Sequence, residues 1–210
     1  MKKILFILAF SNTLTSELIL EITQGTEDPY RVAILKFEGD EKVSNDIDKI
    51  IRNNLKRSGE FNLFANEDLL SLPTSETEVI FNDFKILNID YLVIGKIVKD
   101  GISISVVYNI FDINKGKKIR TSTVYGIPNK NRQLGHYVSD GIYEEITGMK
   151  GISSTKILYV TENKNFNLMV ADADGSNEQI LLKSNDPIIS PAWSPCLLYT
   201  SDAADDLFRV

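Results

Sequence analysis

Cysteine and histidine are nearly missing from this chain of 210 residues, which holds one of each, Cys196 and His136. That leaves no material for a disulfide framework, a Cys/His zinc site or Cys–His nucleophilic catalysis. Long apolar runs are missing too, since the run over 4–10 is far below the roughly 20 residues that a membrane-spanning helix needs. Basic stripes are also lacking. Lys and Arg number 23 against 29 Asp and Glu, for a net charge of −6, so no nucleic-acid partner is expected. No serine elbow of the G-x-S-x-G type is present, because Ser58 and Ser176 lack the flanking glycines. What is left is a globular composition, 43% hydrophobic and 25% charged, that fits one domain of about 130 residues plus something smaller.

The first residues have the layout of an export signal. Lys2 and Lys3 form a positive start, 4–10 is a short apolar run, and Ser11, Asn12, Thr13, Thr15 and Ser16 make a small, polar stretch suited to cleavage. A buried first strand would also suit Ile-Leu-Phe-Ile-Leu, but the two lysines and the abrupt change after Phe10 favour export. The predicted signal peptide is 1–16, cut between Ser16 and Glu17, with nothing left afterwards to enter a membrane. In 17–25, Leu18, Leu20 and Ile22 share one face of an extended strand, with Glu17, Ile19, Glu21 and Thr23 opposite and Gln24-Gly25 following.

A nearly continuous apolar run over 32–37 reads as a strand covered on both faces. Ser44 is the predicted cap of a helix over 45–58, with Ile47, Ile50, Ile51 and Leu55 inward and Lys49, Arg52, Lys56 and Arg57 in water. Gly59 supplies its stop. A weaker helix is expected over 76–87. Strands follow over 91–98, 102–113 and 118–125, joined by turns at Asp100-Gly101 and Asn114-Lys115-Gly116. A third helix over 130–149 carries Leu134, Val138, Ile142 and Ile146 on one stripe and ends at Gly148 and Gly151. Together these describe an α/β domain with a mixed sheet. Beyond Gly151 the texture changes to three short strands, 156–161, 168–173 and 178–182, with no helix between them, as in one blade of a propeller.

Most candidate chemistry fails on inspection. Gly95-Lys96 is a strand lysine, because Asp90 stands where a phosphate loop needs its first glycine. Asp172-Ala173-Asp174-Gly175 resembles half a calcium loop but lacks the bidentate glutamate, and reads as a hairpin turn. His136 and Asp140, one helical turn apart, read as a hydrogen-bonded pair on a helix surface. No catalytic residue, metal or cofactor is expected.

Four segments in order carry a resemblance to the TolB family. They are 17–22 with Gly25; Asp46-Ile47, Leu55, Ser58-Gly59 and Phe61; then Gly135-His136, Ser139-Asp140, Ile142-Tyr143-Glu144, Ile146-Thr147-Gly148 and Lys150-Gly151; and finally Ser190-Pro191-Ala192-Trp193-Ser194-Pro195. The resemblance implies an amino-terminal mixed-sheet α/β domain over 17–151, similar to the anticodon-binding domains of some tRNA synthetases. It also implies an incomplete first blade, 152–195, of a six-bladed β-propeller. By the same resemblance the protein is a monomeric, non-enzymatic scaffold of the Tol–Pal system in the Gram-negative periplasm. Residues Glu17, Leu18, Ile19, Leu20, Glu21, Ile22, Thr23, Gln24 and Gly25 would bind TolA, the propeller would bind Pal, and the assembly would support outer-membrane integrity and cell division. Two other readings share parts of the pattern. A curli-secretion or lipoprotein-cofactor domain would want a lipobox cysteine near residue 16, and a propeller-fronted serine peptidase would want a G-x-S-x-G module downstream. The signature breaks at Cys196, where Asp-Gly is expected. The following Leu-Leu-Tyr-Thr-Ser-Asp-Ala-Ala-Asp-Asp resembles a translated transposase-type sequencing adapter, so 196–210 is expected to be a non-native tail.

Overall fold

The structure, a computed structural model, describes residues 28–193. The expected signal peptide, the 17–25 segment and the 196–210 tail lie outside the described residues. The order of elements is β1 (Tyr30–Ile34), α1 (Glu41–Ser58), β2 (Phe61–Phe64), α2 (Phe81–Ile86), β3 (Tyr91–Asp100), β4 (Ser103–Asp112), β5 (Lys117–Gly126), α3 (Asn131–Thr147), β6 (Lys156–Glu162), β7 (Phe166–Asp172) and β8 (Gln179–Ser184).

The first five strands form one mixed sheet in the order β2-β1-β3-β4-β5. β1 runs parallel to both neighbours, pairing Tyr30 with Phe61 and Val32 with Tyr91, while β3, β4 and β5 form an antiparallel meander. The apolar run at β1 has the predicted cause. Val32 and Ile34 point into a core roofed by α1 and α3, through Ile47, Ile51, Leu55, Leu134, Val138, Ile142 and Ile146. Ala33 and Leu35 point the other way, against Phe84, Ile89, Leu92 and Phe111. Alternate side chains of one strand therefore serve two separate cores. The two roofing helices touch closely where Gly135 faces Ile50, since a β-carbon there would lie 2.8 Å from the Ile50 methyl.

Three expectations need correction. The cap of α1 is Asp40, whose carboxylate accepts the Val43 N–H at 3.1 Å, so the helix begins at Glu41. Ser44 is instead buried and donates its hydroxyl to the Phe37 carbonyl. Arg52 does not face water. Its guanidinium holds Asp48 at 2.9 Å, the Phe64 carbonyl at 3.1 Å, Asn66 at 3.1 Å and the Ile34 carbonyl, fastening α1 to the ends of β1 and β2. The helix expected over 76–87 is divided, because Val79 and Ile80 take extended dihedrals between a single 3-10 turn at Glu76–Glu78 and α2. β2 has no counterpart among the expected strands, and four residues are too few to show a period.

The hairpin turns and the end of α3 fall where the sequence puts them. Asp100 pairs with Ser103 across a two-residue turn with Gly101 at φ +53°, and Gly148 caps α3 at φ +74°. β6, β7 and β8 form a separate antiparallel sheet. In it only Ala171 and Asp172 are buried, while Ile180, Leu181 and Leu182 are each about half exposed. Both hydrophobic cores lie before Gly151. Among the described residues the β6–β8 sheet stands without the stacked neighbours that repeat units need.

Limited proteolysis should therefore leave a resistant core ending near Gly151, with the β6–β8 strands digested first. A fragment equally resistant out to residue 195 would contradict this. Arg52→Met should lower the stability of that core by about 2–4 kcal/mol in denaturant melts, because it removes charge-assisted hydrogen bonds from two strand-end carbonyls.

Candidate functional site

Residues 17–25 are outside the described residues, but the structure shows where the chain that follows them enters the domain. The Tyr30 N–H donates to the Glu60 carbonyl at 2.9 Å. Its ring joins an aromatic group in which Tyr30 and Phe61 centroids lie 6.0 Å apart, and Phe61 and Tyr143 lie 5.7 Å apart. Tyr143 also lines an open cavity of about 410 Å³ with Leu55, Arg57, Lys150, Ile152 and, from the blade, Ala173. Two of those groups are basic, and Ile152 is 71% exposed.

Beside this cavity lies the junction between the α/β domain and the blade. Asp140 does not bond His136. Its two carboxylate oxygens accept the Ser153 and Ser154 N–H groups at 2.7 and 2.8 Å, which fixes the direction in which the chain leaves α3. Gly151 allows that approach, because a β-carbon there would come within 2.6 Å of the Asp140 backbone. His136 is likewise not on the surface. It is 4% exposed, and the expected helix-surface pair is absent because α1 covers one side of the ring and the β7 turn covers the other.

The polar contacts of His136 define its state. Asn54 in α1 donates from Nδ2 to His136 Nδ1 at 2.8 Å and to the Ser139 hydroxyl at 2.8 Å, while its Oδ1 accepts from Arg57 at 3.1 Å. That arrangement makes Nδ1 an acceptor, so the neutral ring carries its proton on Nε2. Nε2 points toward Asp174 but stops 3.8 Å from its oxygen. Arg132 bonds Asp174, and Lys156 and Asn177 bond Asp172.

His136, Asp172 and Asp174 bring potential ligand atoms within 4.8 Å of one another. Their chemistry does not suit a cation. The imidazole turns an N–H toward the carboxylates, and the carboxylates are already bonded to Arg132 and Lys156. The arrangement is an ion-paired clasp. The Asp172–Gly175 turn itself forms as expected, with the Gly175 N–H on the Asp172 carbonyl at 2.8 Å and Gly175 at φ +80°. Gly95-Lys96 lies within β3, also as expected.

The charges are tuned by their neighbours. Burial holds His136 below the usual imidazole range, against the pull of Asp174. Burial also pushes both aspartates upward, but hydrogen bonds outweigh it and keep them below the usual carboxylate range. The donors are Lys156 and Asn177 for Asp172, and the Ser176 N–H and Arg132 for Asp174. Their contribution to stability is therefore complete above about pH 4 and is lost as pH falls through their lowered values. Arg132, Asn54 and Lys156 were not singled out from the sequence. The one local signal was the spacing of Arg132, His136 and Asp140 along one face of α3.

Asp140→Ala should loosen the exit from α3 without disturbing the core below it. Protease cleavage within 150–155 should quicken several-fold, while the unfolding transition of the α/β domain stays within about 1 kcal/mol of the parent. An unchanged cleavage rate would show that Asp140 does not hold the linker.

Comparison with known proteins agrees with this architecture. A model of the TolB amino-terminal domain matches residues 18–119, and a model of the TolB beta propeller domain matches residues 143–199. The Tol-Pal system protein TolB of Alcanivorax borkumensis is 38% identical over 185 residues, which is 86% of this chain and 43% of that protein. That of Pseudomonas aeruginosa is 35% identical over 84% of this chain and 43% of its own length. The crystal structure of TolB from Acinetobacter baumannii superposes with a TM-score of 0.73 at 30% identity, again over 82% of this chain and 43% of that one. The chain thus spans less than half the length of the relatives it matches. With both matched models describing TolB, one following the other along the chain, and a solved TolB sharing the fold, the chain belongs to the TolB family, whose matched members are named Tol-Pal system proteins.

Proposed function

We propose that this chain is part of a periplasmic, non-catalytic scaffold that binds TolA through residues 17–25 and Pal through its propeller, supporting outer-membrane integrity and cell division. The observation that carries the reading is the paired match to both TolB domains, in TolB order, within one chain. The export layout of 1–16 supports the compartment. Among the described residues no helix is long and apolar enough to cross a membrane. The domain order also separates this reading from the curli-secretion, lipoprotein-cofactor and serine-peptidase alternatives, none of which the matched models describe.

Energetics favour a segment that detaches. Leu18, Leu20 and Ile22 form one small apolar face, and three half-buried aliphatic side chains contribute only a few kcal/mol at about 25 cal/mol per Å². The entropy of ordering nine residues, at about 1–2 kcal/mol each, exceeds that gain, so the free state stays accessible unless main-chain hydrogen bonds hold the segment. A docking place is at hand. The chain enters at Tyr30 beside Phe61 and Tyr143, and the neighbouring cavity offers Ile152 for the apolar face and Arg57 and Lys150 for Glu17 and Glu21. A partner that presents a sheet edge can capture the free strand by main-chain hydrogen bonds.

The test is a shortened chain beginning at Thr26, compared with one beginning at Glu17 for binding to the periplasmic C-terminal domain of TolA. Binding should be largely lost, while the thermal transition of the α/β domain changes little. Near-full binding by the shortened chain would place the TolA site elsewhere on the domain.

A further inference from the structure

His136 stands where the α/β domain meets the blade, with Nδ1 committed to Asn54 and Nε2 lacking a hydrogen-bond partner. The groups facing it come from every side of the junction. Its own helix contributes Arg132 and Asp140, α1 contributes Asn54 backed by Arg57, and β7 with its turn contributes Asp172 and Asp174. β6 contributes Lys156, acting through Asp172. We propose that His136 is an acid-sensitive catch, which in its neutral form holds the blade against the α/β domain and on protonation releases it.

The geometry gives the reason. A second proton has to enter at Nδ1, where the Asn54 N–H already points. Turning the Asn54 amide over would cost it the Arg57 bond and set its N–H2 against the guanidinium, since Oδ1 accepts from Arg57 and Nδ2 also donates to Ser139. The imidazolium therefore loses one hydrogen bond and sets two donors face to face. Asp174, 3.8 Å from Nε2, pulls the other way but compensates only in part. It is already bonded to Arg132, and Asp172 to Lys156, so two carboxylates meet two cations before a third positive charge arrives. With the blade away, the β7 turn no longer walls the ring against Asn54, so the imidazole can turn from that N–H into water and charge there.

The sign of the effect follows. The closed junction holds His136 below its ordinary value, so closure is fully supported above about pH 6.5 and weakens as pH falls through that value. Asp172 and Asp174 titrate lower, in a separate window. If the closed form took up no proton at all, opening would increase about tenfold between pH 7.5 and 5.5, and this is the ceiling.

Because the chain has a single histidine, its ring proton gives one unambiguous NMR titration curve. The reporters of opening are the Ser153 and Ser154 amides, whose bonds to Asp140 cross the junction. Measured on the whole chain, the ring should titrate below 6.5. Protection factors at the two amides, corrected for intrinsic exchange, should fall several-fold between pH 7.5 and 5.5, with the fall setting in near 6.5. His136→Asn keeps an acceptor for Asn54 without titrating, and should hold its protection over the same range. A titration midpoint at or above 6.5, or protection that is level or higher at pH 5.5 in the parent chain, overturns the proposal. So does an equal fall in His136→Asn. Where that variant does not fold, the two measurements on the parent chain decide.

Discussion

A strand buried on both faces sends its side chains into two cores at once and leaves its backbone polar groups nowhere to go except its neighbours. β1 imposes that condition on the α/β domain. Its ladder is completed by β2 on one side and β3 on the other, and its ends are closed by side chains. Asp90 accepts the Arg31 N–H at 3.0 Å, and Arg52 reaches back from α1 to the Ile34 carbonyl. Leu35 and Glu38 continue beyond the strand by donating to Val93 and Gly95. Asp90 and Arg52 look unremarkable in the sequence, yet each satisfies part-buried backbone at a strand end. The positions of α1 and β3, and with them the roof under which α3 packs, depend on these bonds.

What was legible in the sequence had a short period. The stripe of Leu134, Val138, Ile142 and Ile146 repeats every turn of α3, and all four are buried. The β3–β5 meander could be read because Asp100-Gly101 and Asn114-Lys115-Gly116 are local turn chemistry. What was illegible depended on distant partners. Asp40 and Ser44 are both competent caps, and the choice between them was made by the Phe37 carbonyl, which draws the Ser44 hydroxyl inward. β2 exists because β1 needs a neighbour, not because Phe-Asn-Leu-Phe has a period of its own. The environment of His136 was hidden most completely, since Asn54 lies 82 residues away in the chain and the other wall of its pocket belongs to the blade.

The two halves of the chain are held together differently from the way each is built. Inside the α/β domain the adhesive is apolar and deep, and opening it exposes core. Across the junction it is a set of hydrogen bonds and ion pairs, Asp140 to the linker and Arg132 to Asp174. Separating such surfaces exchanges protein partners for water at a modest net free energy, so the blade can leave without unfolding the domain behind it.

That contrast bears on how the amino-terminal segment and the blade can influence each other. The cavity beside the junction has walls from both halves, with Leu55, Tyr143 and Ile152 on one side and Ala173 on the other. Asn54 lines it as well, and the same Asn54 amide holds His136. A segment seated there would touch residues that move when the blade moves, and its binding and closure of the junction would be linked by thermodynamic necessity. The coupling free energy would be the difference in the segment's affinity for the closed and open arrangements. A junction of hydrogen bonds and ion pairs would keep both arrangements within reach, whereas one sealed by apolar packing would leave only one populated and nothing to couple.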